Sequence, residues 1–154
     1  MGLIRFDNVS HNYQKAQALT KINFEIEDLK ITAVVGRSGS GKSTLLQIIN
    51  GLVRPSGGDI LVFGSKLNYK RINETRLKIG YSVQGTGLFP HMNVYSNIAL
   101  LGKITGQLRH VTELRVDELM SLVDLPPEFK TKYPYQLSGG EQQRVGICRA
   151  MLLN

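Results

Sequence analysis

Apolar and polar side chains alternate at Ile22, Phe24 and Ile26 against Asn23, Glu25 and Glu27. A period of two predicts a half-buried strand. Residues 3–6 are short and apolar-rich, so the first thirty residues read as β. The pattern then changes. Ile31-Thr32-Ala33-Val34-Val35 has no polar face, which predicts a strand covered on both sides, as in a parallel sheet. From Lys42 onward, Leu45, Ile48, Ile49 and Leu52 fall at helical spacing, and Gly51 suits a helix end. A turn over 54–58 leads into a strand over 59–63, closed by Gly64. A further strand is predicted within 76–84, with Ile79, Tyr81 and Val83 on one face. Helices are predicted over 94–104 and 111–123, the second with Leu119, Met120 and Val123 on one side. Pro126-Pro127 ends that region, Pro134 makes a turn, and a last helix starts near Glu141. Strands first, a helical insert and a closing helix predict an α/β fold with appended subdomains.

Composition narrows the class. The 154 residues suffice for one domain or most of a larger one, and 42% hydrophobic with 20% charged residues excludes a disordered tail. A single cysteine excludes a disulfide framework within the chain and any Cys-rich zinc site. No apolar run approaches the roughly 18 residues of a membrane span. The first residues lack a signal-peptide core, and position 6 is Phe where a myristoylation site needs Ser or Thr. A soluble chain in a reducing compartment is the expectation. The net charge of +7 has two readings, a well-solvated surface or a polyanionic partner. No basic run is longer than Lys70-Arg71, so a nucleic-acid arm is unsupported.

The chemistry concentrates at Gly36-Arg37-Ser38-Gly39-Ser40-Gly41-Lys42-Ser43, which fits G-x-x-x-x-G-K-[ST]. Glycines tolerate positive φ, so successive backbone N–H groups can turn inward and form an anion nest. A helix starting near Lys42 adds its N-terminal partial charge. Lys42 brings a full charge to the β- and γ-phosphates, Ser43 a hydroxyl for Mg²⁺, and Thr44 a bond on the α-phosphate side. The position between a buried strand and a helix is the context this chemistry needs. The loop by itself says phosphate binding, not hydrolysis.

A second glycine motif lies at Leu137-Ser138-Gly139-Gly140-Glu141-Gln142-Gln143-Arg144. Read alone, it is a capped helix start, with Ser138 a good N-cap. Read with the phosphate loop, it resembles the signature sequence of ABC-type ATPases, with Glu141 in the Gln position of LSGGQ. The resemblance runs over nearly the whole chain. It implies an incomplete P-loop NTPase core of the ABC ATPase type, with an antiparallel β-subdomain and an α-helical subdomain. The implied division is 1–86 for the β-subdomain and loop core, 87–136 for the helical subdomain, and 137–154 for the signature motif and its helix.

That resemblance also implies roles. Tyr13 stands where the family stacks an aromatic on adenine; a plain hairpin tyrosine is the other reading. Gln84 matches the glutamine that touches Mg²⁺ and the attacking water. Ser138, Gly139, Gly140 and Glu141 would bind the γ-phosphate of an ATP held by a second ATP-binding subunit, in a head-to-tail dimer. Residues 87–94 look like the corresponding stretch of bacterial importers for glycine betaine and related solutes. There Leu88, Phe89 and Met92 would meet the membrane permease subunits; ordinary subdomain packing is the alternative. ATP and Mg²⁺ are the implied cofactors. The implied place is cytoplasmic, peripheral on the inner face of the membrane through the permease, with no nucleic acid expected.

The sequence also departs from the family. The Walker B Asp-Glu, the D-loop and the switch histidine are not found; His11, His91 and His110 all precede the signature motif. The 154-residue chain alone is therefore expected to be inactive, and residues 31–35 to have open strand edges. A non-hydrolysing nucleotide-binding fragment or decayed gene product is the alternative, and a non-transport ABC protein acting on nucleic acid or ribosomes a further one. Among single residues, Cys148 is expected to pack in the core. Arg144 and Arg149 are expected to form ion pairs on the helix surface, with a subunit contact as the other reading; Arg37 is expected to add general electrostatics, and His91 to be a solvated loop residue, with a partner contact as the other reading.

Overall fold

The computed structural model describes residues 3–14, 16–83, 85 and 87–153. It contains two compact units, Met1–Arg76 and Leu77–Asn154.

In the first unit, β1 (Ile4–Tyr13) and β2 (Ala16–Ile26) form a long antiparallel hairpin. Its register sets Ile4 opposite Ile26, Phe6 opposite Phe24 and Tyr13 opposite Ala16. The Phe6 and Phe24 rings stack with centroids 4.6 Å apart, a cross-strand pair that helps hold the register. β3 (Gly57–Val62) pairs antiparallel with the other edge of β1, and the short β4 (Ser65–Lys66) follows, giving the order β2-β1-β3-β4. Phe6, Val9, Leu19, Ile60 and Val62 are buried. Helix α1 (Lys42–Ile49) buries Leu45, Ile48 and Ile49, as its spacing predicts. The one-turn helix α2 (Ile72–Arg76) ends at an arginine that caps α1. Arg76 donates from Nε to the Asn50 carbonyl (3.0 Å) and from Nη2 to that of Gly51 (3.1 Å). These are carbonyls at the α1 C-terminus, where a cation is favoured.

Among the described residues, two predicted strands do not form. Residues 31–37 and 80–83 belong to no sheet, and Ile31 and Val35 are 100% and 90% exposed. The physical reason is that a strand without a polar face is stable only between neighbours and under covering layers. Among the described residues the sheet is wholly antiparallel and offers 31–35 no partner. The predicted strand within 76–84 also loses its start, because Arg76 ends α2.

The second unit is helical. Helix α3 (Val94–Ile104) spans the predicted range, and α4 (Arg109–Leu122) starts two residues before its predicted start. Two 3₁₀ turns, Pro127–Thr131 and Pro134–Gln136, each open on a proline. Helix α5 (Gly139–Met151) closes the unit. Val94, Ile98, Val116, Leu119, Val145 and Cys148 form its fully buried centre. Cys148 packs as expected: its thiol donates to the Leu119 carbonyl at 3.4 Å, and burial pushes it up to about 11. The ion pairs expected of Arg144 and Arg149 are absent among the described residues. Arg149 instead donates from Nη1 to the Gly87 carbonyl at 2.9 Å, and partial burial lowers its pKa. Arg144 Nε is buried without a hydrogen-bond partner.

Candidate functional site

The glycine-rich loop and the start of α1 form one cradle. Gly39 and Gly41 adopt φ values of 80° and 88°, the left-handed region that glycine enters without strain. Gly41 is the N-cap of α1, so no side chain caps the helix, and no acidic residue lies in its first turn. The first N–H groups of α1 are thus left to an external acceptor, beside a partial positive charge. Gly41 is also needed for space. A Cβ there would lie 2.5 Å from the Ala18 carbonyl oxygen and 2.8 Å from Leu19 Cδ2, so β2 abuts the loop. A Cβ on Gly36 would lie 2.7 Å from Ser40 Oγ.

Lys42 folds back over this loop. Its ammonium donates to the carbonyls of Gly36 (2.8 Å) and Arg37 (2.7 Å), with Ser40 Oγ at 3.4 Å. Ser40 N–H bonds the Arg37 carbonyl at 3.2 Å, tightening the turn. The result is a ring of backbone around one cation. Ser38 and Ser43 are exposed, whereas Thr44 is buried. The arrangement can take a polyphosphate: amides and a lysine meet the oxygens, and the Ser43 hydroxyl stands free for a cation.

Tyr13, at the end of β1, is brought alongside α1. Its hydroxyl donates to Gln47 Oε1 at 3.2 Å, one helical turn past Ser43. Its ring is 44% exposed and meets the buried His11 edge-on at 4.5 Å. Gln47 and His11 were not predicted as neighbours of the site. The helical period places Gln47 one turn past Ser43, but the hairpin register that delivers Tyr13 to it has no local sequence signal.

In the second unit, Ser138 is the N-cap of α5 and makes a capping box with Glu141. Ser138 N–H and Oγ–H both donate to Glu141 Oε2, at 2.7 and 2.8 Å, and Glu141 N–H returns a bond to Ser138 Oγ at 3.3 Å. Gly139 and Gly140 have no heavy atom closer than 3.9 Å to an added Cβ, so this helix start is open. The Ser138 bonds hold the Glu141 carboxyl below its usual pKa. A carboxylate lowered on folding adds stability above its unfolded pKa and loses it as pH falls through the folded value. Ser138→Ala removes those bonds and is expected to destabilise the protein near neutral pH. The gap from wild type should narrow as pH falls below the ordinary Glu range, read by denaturant unfolding at several pH values. A pH-independent gap would contradict this.

Leu88, Phe89 and Met92 lie on the loop before α3. Phe89 is 41% exposed and the other two are half-buried. Gln84 lies outside the described residues.

The family model described as ABC transporter matches residues 19–154. Over 149 residues the chain is 39% identical to the glycine betaine uptake system ATP-binding protein YehX of Escherichia coli (strain K12). Over 150 residues it is 39% identical to the choline transport ATP-binding protein OpuBA of Bacillus subtilis (strain 168). Each match takes in 97% of this chain but only 48% and 39% of those relatives, so the chain spans less than half their length. Among solved structures, the ATP-binding cassette MJ0796, dimeric and bound to ADP and Pi, superposes with a TM-score of 0.86 at 31% identity. That match covers 98% of this chain and 70% of the cassette.

Proposed function

The chain belongs to the ABC transporter family, and on that premise we propose that it is the ATP-binding part of an importer subunit, which couples ATP binding and hydrolysis to solute uptake. The observation that carries this reading is the cradle at Gly36–Thr44, where left-handed glycines, an uncapped helix start and Lys42 converge. Gly36, Ser38, Gly39, Ser40 and Gly41 supply the backbone nest, Lys42 meets the β- and γ-phosphates, and Thr44 supports the α-phosphate side. Ser43 would offer its hydroxyl to Mg²⁺ beside the phosphate oxygens, and Gln84 is assigned to the same ion only by the family resemblance. Few protein ligands fit the habit of Mg²⁺ at nucleotide sites, and no cluster of His, Cys, Asp or Glu competes for it among the described residues.

A second ATP-binding subunit supplies Ser138, Gly139, Gly140 and Glu141 to the γ-phosphate, head to tail. Leu88, Phe89 and Met92 face the permease, which places the protein on the inner face of the membrane. No helix among the described residues is long and apolar enough to cross a bilayer. The imported solute is of the betaine or amino-acid class, by likeness to relatives named for glycine betaine, choline and methionine.

Tyr13 tests the nucleotide assignment separately from the phosphate assignment. Tyr13→Ala is expected to weaken ATP by about tenfold, the scale of one base–aromatic stack, and to leave inorganic triphosphate unchanged. Tyr13→Phe loses only the bond to Gln47 and should weaken ATP much less. Equal losses for ATP and triphosphate in Tyr13→Ala would remove the adenine role.

A further inference from the structure

Asn97, in the first turn of α3, is fully buried, and its side-chain amide bonds only to the loop that precedes the helix. Its Oδ1 accepts the Phe89 N–H at 2.8 Å. Its Nδ2 lies 3.1 Å from the Phe89 carbonyl, 2.9 Å from that of Met92 and 3.1 Å from that of Asn93. The amide therefore pairs with both the N–H and the C=O of Phe89, as a neighbouring strand would. It closes residues 89–93 into a turn, which the Met92 N–H to Phe89 carbonyl bond completes at 3.1 Å. Asn93 in turn caps α3, its Oδ1 accepting the Ser96 N–H at 2.8 Å.

A buried amide costs desolvation that an apolar side chain of similar size avoids. Here every polar atom is satisfied, and all the bonds go to one exposed loop. Valine or leucine would fill the volume but would leave the Phe89, Met92 and Asn93 backbone groups without that partner. The group thus specifies a loop conformation, and that loop carries Phe89 and Met92.

We propose that Asn97 is a positioning residue for the partner-facing surface: its amide fixes the 89–93 turn in the shape that presents Phe89 and Met92 to the membrane subunit. The proposal rests on the reading of that loop as the permease contact. Ile98 supplies the contrast. It is its fully buried neighbour, packed in the helical core, and it makes none of these polar bonds.

The test uses the full-length protein and the membrane subunits of its own transporter held in nanodiscs. Asn97→Ala is expected to weaken binding to those subunits by about tenfold or more, as for a residue that organises a docking centre. ATP affinity should stay within about twofold, because the side-chain bonds of Asn97 go to Phe89, Met92 and Asn93, none of them a proposed ATP ligand. Hydrogen exchange at the Phe89 amide should rise at least in parallel. Ile98→Ala should lower the melting temperature while leaving docking within about twofold of wild type. Where Asn97→Ala does not fold, Asn97→Ser is read in its place, since its hydroxyl can still donate to the Asn93 carbonyl. Docking equal to wild type in the Asn97 variants, or weakened no more than in Ile98→Ala, would overturn the proposal. Phe89→Ala separates the two levels. If it docks as wild type, the permease reading fails and the role of Asn97 fails with it. If Phe89→Ala weakens docking and Asn97→Ala does not, only the positioning role fails.

Discussion

Replacing Lys42 with alanine is expected to lower ATP affinity by about a hundredfold or more, roughly the 3 kcal/mol of a charged hydrogen bond. The ammonium folds back over the loop: it lies within 2.8 Å of two carbonyls contributed by Gly36 and Arg37. Those carbonyls and a bound phosphate are alternative acceptors, so an ATP bound as proposed would take over a cation already in place. Lys42→Arg keeps the charge but not the compact three-donor geometry, and should recover only part of the affinity. Equilibrium titration with ATP checks both variants. Because α1 starts at Lys42 with a glycine N-cap, loss of this side chain should leave the helix and its buried face intact. Far-UV circular dichroism unchanged beside lost binding is therefore the expected pair of results. Unchanged affinity would remove the loop from the site.

The second large effect is expected at Gly41. Alanine there must hold φ near 88°, at about 1–2 kcal/mol for an L-residue. It also places a Cβ 2.5 Å from a backbone oxygen of β2, which cannot rotate away. Gly41→Ala should therefore push the loop off the hairpin, cutting ATP affinity by more than about tenfold and lowering the unfolding midpoint. Gly39 is the internal control. Its φ is also positive, but nothing lies within 4 Å of an added Cβ. Gly39→Ala should show the strain alone, a loss several times smaller. Equal losses at the two glycines would mean that contact with β2 is unimportant.

How far the sequence anticipates the structure depends on whether a pattern is satisfied locally. The α3 range, the Pro134 turn and the Ser138 cap depend on residues a few positions apart, and they stand where the spacing puts them. The phosphate-loop motif likewise ends in the helix it predicts. Residues 31–35 differ, because their uniform apolar pattern describes an environment, a covered parallel sheet, and not a local conformation. Without neighbouring strands among the described residues they stay unpaired. Arg149 shows the same limit in another form. Its helix position suggests a surface ion pair, yet it bonds Gly87, 62 residues earlier. Asn97 reads as an ordinary polar residue in an amphipathic helix, and only the returning loop shows why it is buried. The link from Tyr13 to Gln47 also depends on tertiary approach, here of the hairpin to α1.

The proposed ATP site is the cradle made by Gly36–Thr44 beside Tyr13. The most direct measurement is an amide NMR titration of the protein with Mg²⁺ and ATP, with Lys42→Ala alongside. Saturable shifts are expected at Gly39, Gly41, Lys42, Ser43 and Thr44, with ring signals of Tyr13 moving in step, and no such shifts in Lys42→Ala at ATP concentrations that saturate the wild type. Shifts that saturate elsewhere while these amides stay still, or that persist in Lys42→Ala at the same ATP concentrations, would contradict this site.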